Sequence, residues 1–268
     1  MSPKVAVAQF SAGTDKAQNR KNIAALIAEA ASEGSELVVL PENAMYSHPD
    51  SSVDLYPHSE DLDGEFASFL REAAGSNGLW VVAGMTESIH GTRKVHNTVV
   101  VVNPDGALHG TYRKIHLYDA FGYRESDSVQ AGELDEPTTF SIDGTTFGLM
   151  TCYDLRFPES ARRLVDAGAD AIVVPAAWVA GPLKEEHWST LIRARAIENT
   201  VYVAAAGQTG PVCIGRSVIV DPAGVVKADA GPQPGLATHL LSAERLAEVR
   251  RVVPVLEHRR FFLEGHGK

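Results

Sequence analysis

The sequence lacks any apolar run long enough to cross a bilayer, which takes about eighteen uninterrupted residues. Lys4 is followed only by a short apolar strand, with no signal-peptide core. We therefore expect a cytoplasmic protein that spans no membrane. Basic residues are also scarce, since 24 lysines and arginines face 34 aspartates and glutamates and the formal net charge is −10. This acidity argues against nucleic-acid and anionic-membrane partners, because both need a basic surface.

Cysteine is scarce as well, with Cys152 and Cys213 the only two in the chain. Chains that are not secreted seldom form disulfides, and a bridged Cys152 could not attack a substrate, so we expect two free thiols with Cys213 structural. The sequence has no His-Glu-x-x-His motif, no paired Cys-x-x-Cys and no glycine-rich phosphate loop. Because these motifs are absent, we expect no metal site and no cofactor.

The most informative residue that is present is Cys152, which follows the apolar segment 147–150 and precedes a stretch of helical character. A thiol at a strand-to-helix turn is placed like a nucleophile, because the free N–H groups that open a helix lower a thiol's pKa and can hold an oxyanion. Taken alone, a cysteine that ends a core strand is more often a small buried apolar residue. Glu42 and Lys114 strengthen the first interpretation, since each also ends a strand, where the sites of α/β proteins collect.

These three residues lie in motifs that resemble the nitrilase superfamily of carbon–nitrogen hydrolases, whose catalytic set is Glu, Lys and Cys in that chain order. The matching segments are LVVLPE at 37–42, GTYRKIHL at 110–117 and CYDLRFPE at 152–159, with further matches at 5–9, 193–199 and 217–222. The resemblance implies that Glu42, Lys114 and Cys152 carry out catalysis. It also implies that Glu125 positions Lys114 and the substrate.

The residues after Cys152 distinguish branches of that superfamily. Tyr153-Asp154 resembles the Nit amidase branch, whereas true nitrilases have Trp-Glu there, and Phe157-Pro158-Glu159 is closer to deaminated glutathione amidases than to omega-amidases. The implied substrate is a linear amide of a small carboxylate-bearing metabolite, deaminated glutathione or alpha-ketoglutaramate. One departure is the segment 178–186, where the family has a small polar loop before His-Trp, and this departure is expected to alter the substrate pocket.

The hypothesis for the reaction is thioester chemistry. The Cys152 thiolate attacks the carboxamide, Lys114 and the backbone N–H of Tyr153 hold the oxyanion, and Glu42 moves the protons. The products would be an acid and ammonia. Lys114 should stay charged, because neighbouring glutamates favour its ionised form.

Three further side chains are candidates for substrate contact. Arg156 could bind a substrate carboxylate through its bidentate fork, although an ion pair with Asp154 or Glu159 is an equal alternative. Tyr118 lies in the long loop after the lysine, where aromatic residues could form a pocket wall but more often simply pack. Trp178 opens the segment that departs from the family pattern.

Two other functions stay open at this point. A carbamoyl-cleaving or aliphatic-amide hydrolase would use the same three residues and would differ in its products. A catalytically idle scaffold of the same fold would have a Cys152 no more reactive than Cys213, since fold alone does not determine function.

Apolar periodicity predicts alternating strands and helices, with helices over 16–32, 65–74, 158–167 and 186–198. This order predicts helices layered on sheet in an α/β protein. The resemblance implies a four-layer α-β-β-α sandwich. No linker or composition break divides the chain, so we expect a single domain over 1–268. The resemblance also implies a homodimer or larger homo-oligomer, with the tail at about 250–268 in its interface.

Overall fold

Two six-stranded β-sheets form the centre of the computed structural model, which describes residues 2–50 and 52–263. The strands are β1 (Lys4–Gln9), β2 (Leu37–Val39), β3 (Trp80–Ser88), β4 (Val95–Val102), β5 (Leu108–Arg113), β6 (Asp119–Ala120), β7 (Tyr123–Arg124), β8 (Thr139–Ile142), β9 (Thr145–Leu149), β10 (Ala171–Ala176), β11 (Tyr202–Gly207), β12 (Val218–Val220), β13 (Val226–Asp229) and β14 (Gly235–Leu240). The helices are α1 (Lys16–Ser32), α2 (Glu65–Asn77), α3 (Pro158–Asp166), α4 (Lys184–Asn199), α5 (Ala243–Val252) and α6 (Val255–His258).

The strand order is β14-β1-β2-β3-β4-β5 in one sheet and β13-β12-β11-β10-β9-β8 in the other. The central strands of each sheet run parallel, β1, β2 and β3 in the first and β9, β10 and β11 in the second. Strands that run parallel present their carboxyl ends at one edge of the sheet. The segments that follow β2, β9 and β10 therefore start from such edges.

Alternation along single strands shows how the sheets are stacked. In β1, Val5 and Val7 point into an apolar cluster shared by both sheets, while Ala6 and Ala8 point the other way, into a cluster with α1 and α2. The outer face of the second sheet packs in the same way on α3 and α4. The layers are thus helix, sheet, sheet and helix, and the predicted α-β-β-α sandwich is confirmed.

The helices predicted from periodicity are present with nearly the expected bounds, and α1 matches them at both ends. The turn at Asp143-Gly144 joins β8 to β9, and both residues have positive φ, as a tight two-residue hairpin requires. Strand β14 and helix α5 were not predicted. β14 is only half buried, so its apolar pattern is weak, and it is defined by its antiparallel pairing with β1 along the whole length of both strands.

The C-terminal tail is described only as far as residue 263, and residues 264–268 of the predicted interface segment lie outside the described residues. Phe261 and Phe262 are exposed in the single chain. The single domain and the interface stay predictions. No helix in the described part of the chain is long and apolar enough to cross a membrane.

Gly84 on β3 allows the backbone around Glu42 to lie directly against the sheet. A Cβ atom at this position would lie 2.6 Å from Glu42 Cα and 2.8 Å from Asn43 N. Both atoms belong to the backbone, so neither could move aside as a flexible side chain does. The absence of a side chain at Gly84 therefore determines where Glu42 lies.

Gly84→Ala is expected to lower the free energy of unfolding by about 1–3 kcal/mol, the usual cost of overpacking a buried site. It should also reduce turnover, because the backbone that carries Glu42 must shift. Thermal or denaturant unfolding, together with an activity assay, measures both effects. Gly13→Ala is the matched control, since nothing lies within 4 Å of a Cβ at Gly13. Equal stability of the two variants would contradict the argument.

Candidate active site

Residues from three strand ends converge in one buried cluster. Glu42 follows β2, Lys114 follows β5, and Cys152 follows β9, which belongs to the other sheet. The Lys114 ammonium donates hydrogen bonds to Glu42 Oε1 at 3.0 Å and to Glu125 Oε2 at 2.9 Å. All four side chains are buried. The structure therefore brings together the four residues that the sequence singled out for catalysis.

Cys152 has a backbone conformation that few residues other than glycine adopt, with φ of 45°. It begins a short 3₁₀ helix, Cys152–Arg156, that separates the end of β9 from α3. Strained backbone of this kind occurs where the surrounding structure holds a functional group in place. The sharp turn separates the thiol from the direction of the strand and directs it toward Glu42 and Lys114.

The Glu42 carboxylate is held by donors on both oxygens. Oε1 accepts from Asn97 Nδ2 at 2.7 Å as well as from Lys114, and Oε2 accepts from the backbone N–H of Ala177 at 2.7 Å. Ala177 follows β10 of the second sheet, so this carboxylate spans both sheets. Gln208 Nε2 fixes the backbone by donating to the Glu42 carbonyl at 2.9 Å. The carboxylate is thus positioned before any substrate binds.

Glu125 is held nearly as firmly. Its carboxylate accepts from Lys114, from Asn97 Nδ2 at 3.1 Å and from the backbone N–H of Tyr118 at 2.6 Å. Asn97 therefore links the two glutamates. Sequence reasoning missed Asn97, and the available signal was an amide near the start of β4, a strand whose second half is a run of valines.

Charges within the cluster determine the protonation of its members. Burial lowers the pKa of Lys114, but the Glu42 and Glu125 carboxylates outweigh it, and the pKa lies well above the usual value. The prediction that this lysine stays charged is confirmed.

For Cys152, burial and the nearest carboxylate both disfavour the ionised form. Burial and then the negative charge of Glu42 raise the pKa of the thiol well above its usual value, and the charge of Lys114 opposes them only in part. The expectation that this thiol has a lowered pKa is therefore wrong. The physical reason is that the thiol is enclosed and faces a carboxylate, so its resting form is the neutral thiol. Glu42 is then placed to accept the thiol proton.

Asp154 is fully buried and binds the segments that carry the lysine and the cysteine. Its carboxylate accepts from the Tyr112 hydroxyl at 2.6 Å, from Thr151 N at 2.9 Å and from His116, whose Nδ1 lies 2.8 Å away. Tyr112 lies on β5, two residues before the lysine, and Thr151 immediately precedes the cysteine. His116 therefore makes a structural hydrogen bond beside the site.

Because Asp154 is engaged in this way, it does not neutralise Arg156. Within residues 2–50 and 52–263, neither Asp154 nor Glu159 pairs with the Arg156 guanidinium, so the ion-pair alternative is wrong. The guanidinium lies 4.9 Å above the Trp178 ring and 3.4 Å from His187 Nδ1. Arg156 Nε is buried and has no hydrogen-bond partner in that part of the chain.

A cleft of about 580 Å³ leads to the cluster. This volume is large enough for a small metabolite. Tyr118, Tyr153, Arg156 and Trp178 all line it, together with Glu42, Lys114, Glu125 and Cys152. All the predicted substrate-contact residues therefore share one cavity. Sequence reasoning missed a further cation there, Lys184, which opens α4.

Cys213 also lines the cleft, and both cysteines are free thiols, as expected. Burial raises the pKa of Cys213 to about 12. Its backbone pairs with Val179 in an isolated antiparallel bridge. In the part of the chain that the structure describes, no group of three or more His, Cys, Asp or Glu side chains is arranged to hold a metal ion.

Comparison with known proteins agrees with this geometry. The sequence model of the carbon–nitrogen hydrolase family matches residues 4–251. The chain belongs to this family and is a carbon–nitrogen hydrolase, and the resemblance inferred from its motifs is confirmed.

The chain is 42% identical over 258 residues to a deaminated glutathione amidase of Escherichia coli O157:H7, covering 96% of this chain and 97% of the relative. It is similar at TM-score 0.85 and 30% identity to Nit3 of Saccharomyces cerevisiae, a member of branch 10 of the nitrilase superfamily, with 97% of both chains covered. It also matches the C. elegans NitFhit protein at TM-score 0.88 and 30% identity, covering 97% of this chain and 65% of that one.

Replacing Glu42 should make Cys152 easier to ionise. In Glu42→Gln the negative charge that opposes the thiolate is gone, so the pKa of Cys152 falls and alkylation begins at lower pH than in the wild type. Alkylation by a neutral reagent, measured separately for each cysteine by mass spectrometry across pH, checks this. Glu72→Gln, an exposed carboxylate, is the control. An unchanged or upward-shifted profile in Glu42→Gln would contradict this electrostatic account.

Proposed function

We propose that the protein is a cysteine-dependent amidase that hydrolyses the amide of deaminated glutathione. The observation that carries the proposal is the place of one carboxylate, Glu42, which pairs with the Lys114 ammonium and lines the same cleft as the Cys152 thiol, whose pKa it raises. The similarity over nearly the whole chain to a deaminated glutathione amidase supports the choice of substrate. A carbamoyl amine and a simple aliphatic amide are the alternatives within this enzyme class.

In the proposed acylation step, Glu42 takes the thiol proton as Cys152 Sγ bonds to the amide carbonyl carbon. The carbonyl π electrons move to oxygen, and the resulting oxyanion is stabilised by the Lys114 ammonium and the backbone N–H of Tyr153. The C–N bond then breaks, and the leaving nitrogen receives the proton held by Glu42. A thioester and a free amine result. Because the thiol is neutral at rest, proton transfer must accompany the attack.

In the proposed deacylation step, Glu42 accepts a proton from water as the water oxygen attacks the thioester carbonyl. The C–S bond breaks, Cys152 recovers a proton from Glu42, and the carboxylic acid leaves. The same carboxylate therefore serves both halves of the reaction. Its hydrogen bonds from Asn97 and Ala177 keep it in one place throughout, so no rearrangement is needed between the steps.

The amine that leaves depends on the substrate. Deaminated glutathione has a keto oxygen in place of the glutathione amino group, so hydrolysis of its glutaryl amide yields alpha-ketoglutarate and cysteinylglycine. Alpha-ketoglutaramate yields the same acid and ammonia. Both substrates carry a carboxylate on the acyl side, and the unpaired Arg156 is proposed to bind it, because a guanidinium fits a carboxylate bidentately.

We also propose a cytoplasmic homodimer or larger homo-oligomer. Both cysteines are free, which suits a reducing compartment. The apolar side chains of Val252, Phe261 and Phe262 are exposed in the single chain, and a second copy would cover them.

Product analysis with a panel of four compounds tests the proposed function: deaminated glutathione, alpha-ketoglutaramate, a carbamoyl amine and a simple nitrile. We expect the first to be hydrolysed most efficiently, with cysteinylglycine released. Cys152→Ala, Lys114→Ala and Glu42→Gln should each abolish turnover, since all three residues act on one transition state. Double variants should therefore be no worse than single ones.

Carbon dioxide released together with an amine would favour the carbamoyl alternative. If all four compounds are untouched and Cys152 alkylates no faster than Cys213 in the wild type, the idle scaffold is favoured. Full activity in any one of the three variants would remove that residue from the mechanism.

Arg156→Gln is expected to raise KM and lower kcat/KM by about 10–100-fold for both keto-acid amides, the typical effect of losing a charge-assisted hydrogen bond. Arg156→Lys should recover part of this, because it restores the charge without the planar fork. Steady-state kinetics measures these values. Arg71→Gln, an exposed arginine on α2, is the control. A loss confined to kcat would show that Arg156 does not bind the substrate carboxylate.

A further inference from the structure

We infer that Lys184 forms a second anion subsite, which binds the glycine carboxylate of the amine that leaves. The inference rests on the proposed function and deepens it, because it explains how the cleft would distinguish deaminated glutathione from alpha-ketoglutaramate. Deaminated glutathione carries one carboxylate on each side of the scissile amide. Alpha-ketoglutaramate carries only the acyl-side carboxylate.

The Lys184 side chain is buried against the wall of the cleft, with 8% of the residue exposed. Its ammonium lies 2.9 Å from the Tyr118 hydroxyl and 3.7 Å from the centre of the Phe121 ring. These contacts are to neutral groups. An ammonium has three N–H donors, and the hydroxyl takes only one of them.

No carboxylate in the described ranges 2–50 and 52–263 pairs with Lys184. The other strongly buried cations behave differently, since Lys114 is paired with Glu42 and Glu125, and Arg195 with Glu198. A buried charge without a counter-charge is costly, so proteins rarely keep one unless a ligand completes the pair. Among the described residues that line the cleft, Lys184 and Arg156 are the two cations without a carboxylate partner.

Trp178 connects these two cations. Its ring lies under the Arg156 guanidinium, and its indole N–H donates to the Lys184 carbonyl at 2.9 Å. Arg156 belongs to the 3₁₀ helix that begins at the nucleophile. Lys184 instead donates a hydrogen bond to Tyr118, which lies in the loop that follows Lys114. The two cations therefore line one cleft with the reacting thiol but come from different elements of the fold, which gives a substrate with two carboxylates two separate partners.

The backbone before Lys184 is strained in the same way as that of the nucleophile. Leu183 has φ of 60° and lies immediately before α4. This strain belongs to the segment 178–186, which departs from the family pattern. The departure therefore has a structural result, because it places a cation in the cleft wall.

The test compares kcat/KM for deaminated glutathione with kcat/KM for alpha-ketoglutaramate in Lys184→Met. We expect the ratio of the two values to fall about tenfold relative to the wild type, the loss of one charge pair in a partly enclosed site. Lys184→Arg should keep most of the ratio, since it keeps the charge. Lys21→Met, an exposed lysine on α1, is the control.

A change in the substrate provides the second arm. Deaminated glutathione with its glycine carboxylate converted to the amide should be a poorer substrate for the wild type by about the same factor. For Lys184→Met the kcat/KM values of the two forms should be nearly equal. The difference between the wild type and this variant then isolates the interaction of Lys184 with the substrate carboxylate, as in a double-mutant cycle. Thermal unfolding of each variant shows that it is folded.

An equal loss for both keto-acid amides in Lys184→Met would overturn the inference, since Lys184 would then act on the acyl side or on the cleft as a whole. An unchanged ratio would overturn it too, while leaving the proposed function intact. If the wild-type enzyme hydrolyses neither keto-acid amide, the proposed function fails and this inference fails with it.

Discussion

The arrangement of the site depends on one buried ion cluster, the Lys114 ammonium between the carboxylates of Glu42 and Glu125. Charges this deeply buried are tolerated only when they are paired and hydrogen-bonded. Lys114 therefore holds both glutamates, and Asn97 closes the cluster by donating to each of them. Removing Lys114 would leave both carboxylates buried without a counter-charge. The protonation of Lys114 and Cys152 and the proposed chemistry both depend on this cluster.

The residues of the site come from both sheets. Glu42 comes from the first sheet, and it is tied to the second through the N–H of Ala177. The nucleophile turn is held twice, by the buried Asp154 on one side and by Arg195 of α4, which donates to the Leu155 carbonyl, on the other. Strands of both sheets thus carry the residues of the site, and polar contacts between the layers fix the distances between these residues. A rigid scaffold of this kind suits a reaction that depends on fixed charges.

The electrostatics of the cleft divide into two regions. Around the thiol, the single ammonium of Lys114 lies between the carboxylates of Glu42 and Glu125, and burial together with the negative charge of Glu42 keeps Cys152 protonated. Toward the cleft walls, Arg156 and Lys184 lack carboxylate partners in the described residues. The attraction for an anionic ligand therefore comes from the cleft walls and not from the reacting centre. A neutral amide would gain nothing from the two wall cations, which is why the proposed substrate carries carboxylates.

The sequence by itself determined the family, the layered fold and the candidate catalytic residues Glu42, Lys114, Glu125 and Cys152, because each of these residues lies in a local motif at a strand end. Tertiary structure decided the rest. Lys114 and Glu42 are 72 positions apart, so only folding brings their charges to 3.0 Å. The raised pKa of Cys152, the free guanidinium of Arg156 and the role of Asn97 depend in the same way on distant neighbours. Strand β14 is defined by its partner β1. Local pattern specifies which groups are present, whereas burial and distance specify their charge and availability.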